Sequence, residues 1–462
     1  MSRSQVLPDT AATRSDRIPV GVWTEWVPGS RWTNEGMTRL LGYIIEGVAL
    51  GGEFIFHIVI IDALRDEVRS DLATLDAVEG LDYTIETPNN SAVSNSFPAL
   101  AEFANKNVPV DGWIVLYPQF QHALLLDAPI ATVFPDGIPV AYPTVDTGAW
   151  GPSGYHVRWR DAVASLLDGS DRVITFSDHV ARHHAERLFA VPDQKLRVIP
   201  HAPPDLQHLA PYVPERKRTK ASRQAAAEIL RMHASERGWT HLSDFPFEEV
   251  DYVAVSTQDR VTKNIRLIAE AVRSLVRTSN VNVKLFMTAP VHFGATWTPL
   301  PALLEREMFA SDLISMPDLP RDVHAAFYHC AAVAVHSAIF EGGRGVFPYY
   351  EAASVGTPCL MADGPHTREL IDQAPGLRPF VFDPDDAIGL SRLIRNVLMD
   401  REGALAVQQA DYAELRKRTW KDVASDYAAA ATTVTSKARS SLEGPPARRP
   451  SQKRRQTSAL QT

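Results

Sequence analysis

The chain has 462 residues, of which 45% are hydrophobic and 22% charged, and its formal net charge is −8. That length and composition suit roughly two or three packed domains, and the acidic balance argues against nucleic acid as the main partner. Its two cysteines, Cys330 and Cys359, exclude a disulfide framework and read as small buried hydrophobes of a reducing compartment.

Residues 1–17 lack an apolar run, so they read as a flexible N-terminus without a secretory signal. "IPVGVWTEW", Ile18 to Trp26, is predicted as the first strand. The loop after it, Thr24 to Arg39, offers Trp26, Arg31 and Trp32 to an acceptor, or as anchors of the loop itself. Leu40 to Ile61 imitates a membrane span, but Glu46, Glu53 and a central Gly51-Gly52 would be costly in a bilayer. A helix, a turn and a buried strand, "FIFHIVIID", account for it better. "WIVLYP", "PVAYPTVD" and "DRVITFS" follow as further strands, and Ser177 or Asp178 is predicted to cap a helix over 177–191. "LRVIPHAPPD" ends this half in proline-rich chain.

Residues from Pro211 to Glu249 are charged and helix-prone, reading as an inserted helix and linker. Strand and helix patterns then resume, from "DYVAVSTQ" through "NVKLFMTAP", "DLISMPDLP", "AAVAVHSA" and "PCLMADG" to "FVFDP". The repeated order predicts an α/β protein with two doubly wound parallel sheets facing each other across a cleft. The expected divisions are 18–205, 206–249 and 250–435, with the last helix free to pack back on the first domain. Residues 436–462 lack core formers and read as a disordered tail. Its basic cluster, Arg448, Arg449, Lys453, Arg454 and Arg455, is either solvated or drawn to an anionic membrane surface. The expected location is the cytoplasm, with peripheral contact at the inner face of the membrane as the sharper reading.

The most informative stretch is "FEGGRGVFPYYEAASVGTPCL", Phe340 to Leu360. It begins at the carboxyl end of the strand "AAVAVHSA", where open α/β sheets bind their ligands. Pro348 suits the first turn of a helix, whose free amides and positive end would seat a phosphate or diphosphate. Gly342, Gly343 and Gly345 would let backbone approach that ligand closely. Glu351, one turn further, is better placed for hydroxyls such as those of a ribose.

This stretch resembles the donor-binding signature of retaining glycosyltransferases of family 4, roughly E-G-F-G-L-P-x-x-E-A and then G-T-P. The resemblance extends in order over "GGEFIFHIVII", "SDRVITFSDHVARHHAERLFAVPDQKLRVIPHAPPD" and "VAVSTQDRVTKNIRLIAEAV", within about Ile18 to Asp383. It implies the GT-B fold and transfer, with retention, of a sugar from a nucleotide diphosphate to a hydroxyl acceptor, a glycan or lipid-linked sugar. It implies no metal, and no cofactor besides the donor. By matching positions, Glu351 would bind the ribose and Lys263 the diphosphate. Glu341 would serve as the catalytic glutamate if the loop bulges by two residues, since strict counting lands on Gly343. Thr357, in the donor-binding set, would with Pro358 shape the turn after the helix.

The chain departs from the signature in three places. Glu341 and Glu351 are ten positions apart, two more than in the family. Gln258 stands where the family has an arginine, so Arg260 or Arg344 would have to restore that charge. Val145 stands where a histidine is expected at a strand end, followed by Asp146 as a polar group beside the sugar or acceptor. His336, beside the glycine loop, reads as facing the cleft or as structural; His201 reads as structural. His183 and His184 lack a third ligand at metal spacing. No Walker phosphate loop, G-x-G-x-x-G after a strand, or G-x-S-x-G elbow is present. The competing expectations are sugar-nucleotide epimerisation, or a binding or scaffold protein that keeps the fold with little catalysis.

Overall fold

The structure is a computed structural model describing residues 17–29, 36–73, 75, 82–88, 96–142, 155–290 and 312–441. Two all-parallel sheets organise the described residues, one of 7 strands in the order β3-β2-β1-β4-β5-β6-β7 and one of 6 in the order β10-β9-β8-β11-β12-β13. The first holds β1 (Ile18–Trp23), β2 (Phe54–Val59), β3 (Tyr83–Glu86), β4 (Trp113–Val115), β5 (Ile130–Val133), β6 (Arg172–Thr175) and β7 (Leu196–Val198). The second holds β8 (Tyr252–Val255), β9 (Lys284–Met287), β10 (Leu313–Ser315), β11 (Val333–His336), β12 (Cys359–Ala362) and β13 (Val381–Phe382). In each sheet the first strand lies inside the order, so the chain runs outward, returns and runs outward on the other side. That reversal opens a crevice at the carboxyl ends of the central strands. β8, β11 and β12 are buried along their whole length, as strands covered on both faces must be.

The false membrane span resolves as predicted into helix Gly36–Gly51, a turn at Gly52 with φ +70°, and β2. Among the described residues no helix is long and apolar enough to cross a membrane. Helix Ile265–Thr278 buries Ile265, Leu267, Ile268, Ala271, Val272 and Leu275, a single apolar face at helical spacing. Ser177 caps the helical segment after β6, its Oγ accepting from the Val180 amide at 3.2 Å. The charged segment after Pro211 contains helix Lys220–Glu236, opened by a capping box of Thr219 and Ser222. Its Ala226, Ala227, Leu230 and Ala234 share a core with Tyr252 and Phe327 of the second sheet's layer. Cys330 and Cys359 are free and buried.

The strands differ from expectation in two places. "PVAYPTVD" is not a strand: Ile138–Ala141 is one helical turn, and residues 143–146 lie outside the described ones. The strand of this region is β5, just upstream, in "APIATVFP". β3 was not predicted, because it is a short sheet-edge strand without a continuous buried run, whereas β7 is the strand expected before His201.

Helix Trp420–Ser441 returns to the first sheet, where Val423, Ala424, Tyr427, Ala428 and Ala431 join its core. Tyr43 stacks on Trp420 at 4.7 Å between ring centroids. A Cβ at Gly47 would lie 2.1 Å from the Trp420 carbonyl oxygen, so this crossing requires glycine. Gly47→Val is expected to cost about 1–3 kcal/mol, the usual range for overpacking, or more if the helix cannot shift. Urea denaturation measures it, and an unchanged midpoint would refute the contact.

Candidate functional site

Loops from three strands bring charged groups together between the sheets. Lys263 comes from the loop after β8, Glu341 from the loop after β11, and Asp136 from the loop after β5. Lys263 Nζ donates to Glu341 Oε1 at 2.5 Å, and His336 Nε2 lies 3.1 Å from the same oxygen. Burial opposes the charge on Glu341, but Lys263 and His336 outweigh it and hold the carboxyl well below the usual range. Lys263 stands at the start of helix Ile265–Thr278, where a cation is mildly unfavourable. Glu341 supplies its counter-charge.

Ser337 Oγ donates to the Lys263 carbonyl at 2.6 Å, and the Ile339 amide donates to Thr262 O at 3.0 Å. These bonds lock the two loops together. They also bring Glu341 to Lys263 despite its added separation from Glu351.

Asp136 faces this pair from the first domain. Burial between the domains raises its pKa, the Ile138 amide lowers it, neighbouring Glu341 raises it, and Arg260 and Lys263 lower it; the net direction is upward. Sequence reading missed Asp136 because it placed the strand one segment too late, at Asp146. The available signal was the short apolar run in "APIATVFPDG", closed by Pro-Asp-Gly at a strand's carboxyl end. Asp146, Val145, Arg31 and Trp32 lie outside the described residues.

Glu351 is fully buried in helix Phe347–Ser354. Its Oε1 is ion-paired with Arg39 of helix Gly36–Gly51, across the domain boundary. Glu351 raises the Arg39 guanidinium above its ordinary value, against the effect of burial. Tyr43, His324 and Tyr328 share the surroundings of Glu351. Its Oε2 has no hydrogen-bond partner, and neither has buried Nη2 of nearby Arg321. A buried polar atom left so costs about 1–3 kcal/mol, which a ligand hydroxyl would relieve.

The glycine loop is held against the first domain. Ser177 Oγ donates to Gly342 O at 2.8 Å, and a Cβ on Gly342 would lie 2.0 Å from the Pro135 carbonyl oxygen. Gly345, at φ +72°, donates its amide to His366 O at 2.8 Å. Gly343 lies between, with His201 Nδ1 3.9 Å from where its Cβ would be. Arg344 does not join Lys263. It pairs with Asp178 and donates Nε to Glu369 Oε2 at 2.9 Å, while Glu369 also accepts from the Asp178 and His179 amides. Arg344 therefore ties the domains together, leaving exposed Arg260 as the second cation near Asp136 and Glu341.

Thr357 is buried, donating to Tyr328 O at 2.7 Å and accepting from Arg401 at 3.2 Å. It lies at the turn after the helix, where these contacts engage its hydroxyl. Trp26 is an anchor, packing edge-on against Phe120 at 5.2 Å. His201 packs against Phe176, Phe347 and Trp420, and burial drives its pKa down to about 3. His184 accepts from the Gly137 amide at 2.9 Å, a structural contact. Among the described residues no cluster of His, Cys, Asp or Glu is built to hold a metal.

No family model matches the sequence, and no curated protein matches it. The fold has close counterparts among solved structures. Sucrose-phosphate synthase from Thermosynechococcus elongatus superposes with a TM-score of 0.62 at 13% identity, covering 92% of this chain and 100% of that one. Anabaena HepE in complex with UDP and glucose gives 0.58 at 12% identity, again over 92% and 100%. The trehalose 6-phosphate synthase of Burkholderia multivorans gives 0.57 at 14% identity, with the same coverage. Two parallel sheets of 7 and 6 strands with flanking helices, matching these structures over nearly the whole chain, make this an α/β protein of the GT-B fold.

Proposed function

We propose that this protein is a glycosyltransferase, moving a sugar from a nucleotide diphosphate to a hydroxyl acceptor with retention, in polysaccharide or glycolipid assembly. The observation that carries this is the meeting of Lys263, Glu341 and Asp136 between the two sheets of a GT-B fold. The bond from the anomeric carbon to the diphosphate oxygen breaks, a bond to the acceptor oxygen forms, and the acceptor's proton leaves with the diphosphate. Negative charge grows on the leaving group, where Lys263, Arg260 and the amide end of helix Phe347–Ser354 would stabilise it. Positive charge grows on the sugar, where Glu341 and Asp136 are the available carboxylates. Orphaned Glu351 Oε2 would take a ribose hydroxyl once Arg39 yields. The complex of Anabaena HepE with UDP and glucose supports a nucleotide-sugar donor. The basic tail would place the enzyme at the inner face of a membrane.

The test is a panel of nucleotide sugars, led by UDP-glucose, with and without hydroxyl acceptors. The expected result is acceptor-stimulated release of nucleoside diphosphate from at least one donor. Donor binding without turnover on any acceptor would favour a scaffold, and conversion of the donor sugar itself would favour an epimerase. Asp136→Asn is expected to lower turnover about 100-fold or more, the scale of a positioned electrostatic group. Normal rates would remove Asp136 from the site.

A further inference from the structure

His366 is 1% exposed, yet neither of its ring nitrogens has a hydrogen-bond partner. It opens the helix Pro365–Gln373, immediately after β12 and beside the glycine loop. Its carbonyl accepts from the Gly345 amide at 2.8 Å. A Cβ on the preceding Gly364 would lie 2.7 Å from His366 Cε1, so glycine there leaves the imidazole its room. The ring meets His336 at right angles, 6.2 Å between centroids, and shares its electrostatic surroundings with Glu341 and Lys263. The fold thus fixes the backbone of His366 and sets its imidazole beside the proposed reacting centre.

Resting on the glycosyl-transfer reading, we infer that His366 reads a hydroxyl of the transferred sugar, and that the site selects an uncharged hexose over an acidic one. A neutral imidazole offers one donor and one acceptor, which is what a hydroxyl asks of a partner. A phosphate or carboxylate asks for donors only. The neighbouring carboxylates, Glu341 and Asp136, would repel an acidic sugar, and Lys263 is already paired with Glu341. His366 is therefore a specificity-determining residue, separate from the groups that stabilise the departing diphosphate. It discriminates because a donor lacking the matching hydroxyl leaves its buried nitrogens unpaired.

The test uses the full chain with UDP, UDP-glucose, UDP-galactose and UDP-glucuronate, by isothermal titration and by NMR of the ¹⁵N-labelled imidazoles. The wild type is expected to bind one neutral UDP-hexose at least tenfold more tightly than UDP-glucuronate. The His366 nitrogens should shift with that hexose and not with UDP. His366→Ala should lose roughly tenfold in affinity for the sugar nucleotide with UDP affinity unchanged, and His366→Gln, which can donate and accept, should recover part of it. The NMR arm answers the question on wild-type protein even if the alanine variant fails to fold. Nucleotide binding with His366 silent, or His366→Ala with the wild-type ratio of UDP-hexose to UDP affinity, would overturn this inference and leave the glycosyl-transfer reading standing. Binding of none of the four ligands would also overturn this inference, while the wider nucleotide-sugar panel decides the glycosyl-transfer reading separately.

Discussion

Lys263→Ala is expected to lower turnover about 100- to 1,000-fold, because it removes a preorganised cation from the leaving group. It should also destabilise the fold, by less than the roughly 3–5 kcal/mol of a fully buried pair, since Glu341 would remain as a part-buried carboxylate with only His336 beside it. Lys263 and Glu341 side chains are 20% and 25% exposed, dry enough for that penalty to be felt. The double variant Lys263→Ala with Glu341→Gln separates the two effects. The neutral amide removes the stranded charge, so stability should return most of the way while turnover stays low. Urea midpoints and acceptor-dependent release of nucleoside diphosphate measure the two quantities. Full activity in the single variant would remove Lys263 from the mechanism. A double variant no more stable than the single would show that the ion pair is not what holds the loops.

The positions that carry this expectation were legible in the sequence to different degrees. The two sheets were readable because parallel strands are buried on both faces and so appear as short, nearly continuous apolar runs. Lys263 and Glu341 were readable through the resemblance to the family 4 signature, in loops that follow such runs. Their direct contact was not readable, because it depends on how the loops after β8 and β11 cross, and only the bonds from Ser337 and Ile339 fix that crossing. Asp136 was missed by one segment, because "IATVF" is short and "PVAYP" downstream has an equally strand-like composition. What separates them is tertiary: β5 pairs with β4 and β6, whereas Ile138–Ala141, overlapping "PVAYP", is a helical turn. Arg344 and Thr357 have the right residue types in the right motif, yet their side chains are committed elsewhere by neighbours far away in sequence, Asp178 and Glu369 for one and Tyr328 and Arg401 for the other. His366 is informative only through missing partners, which no sequence pattern displays.

The fold is expected to lose stability steeply on mild acidification, while most surface carboxylates are still ionised. Besides the half-buried His201, four buried histidines are neutral rings: His184, His324 and His329, each with its pKa driven down to about 4, and His366, driven down to about 3. Burial is the largest cause in each case. A hydrogen bond reinforces it in one. His184 Nδ1 accepts from the Gly137 amide at 2.9 Å and cannot carry a proton in that geometry. At His329, which bridges the Val355 carbonyl at 2.6 Å and Ser222 Oγ at 2.8 Å, the carbonyl favours the charged ring, but burial outweighs it.

The direction follows from proton counting. Below about pH 6.5 the unfolded chain protonates these rings and the folded chain does not, so unfolding takes up protons and stability falls as pH falls. Each ring contributes up to about 1.4 kcal/mol per pH unit until its folded pKa is reached. Together they give on the order of 5 kcal/mol per unit at most, comparable with the whole stability of an ordinary domain. Urea denaturation at pH 7.5, 6.0 and 5.0 should therefore show a steep loss, with a limiting slope of several protons. His329→Gln should reduce that slope by about one proton even if it lowers stability at neutral pH. A flat profile between pH 7.5 and 5.0 would mean that these rings are solvated or already charged in the folded protein. The unpaired, neutral His366 would then lose its basis as a reader of hydroxyls.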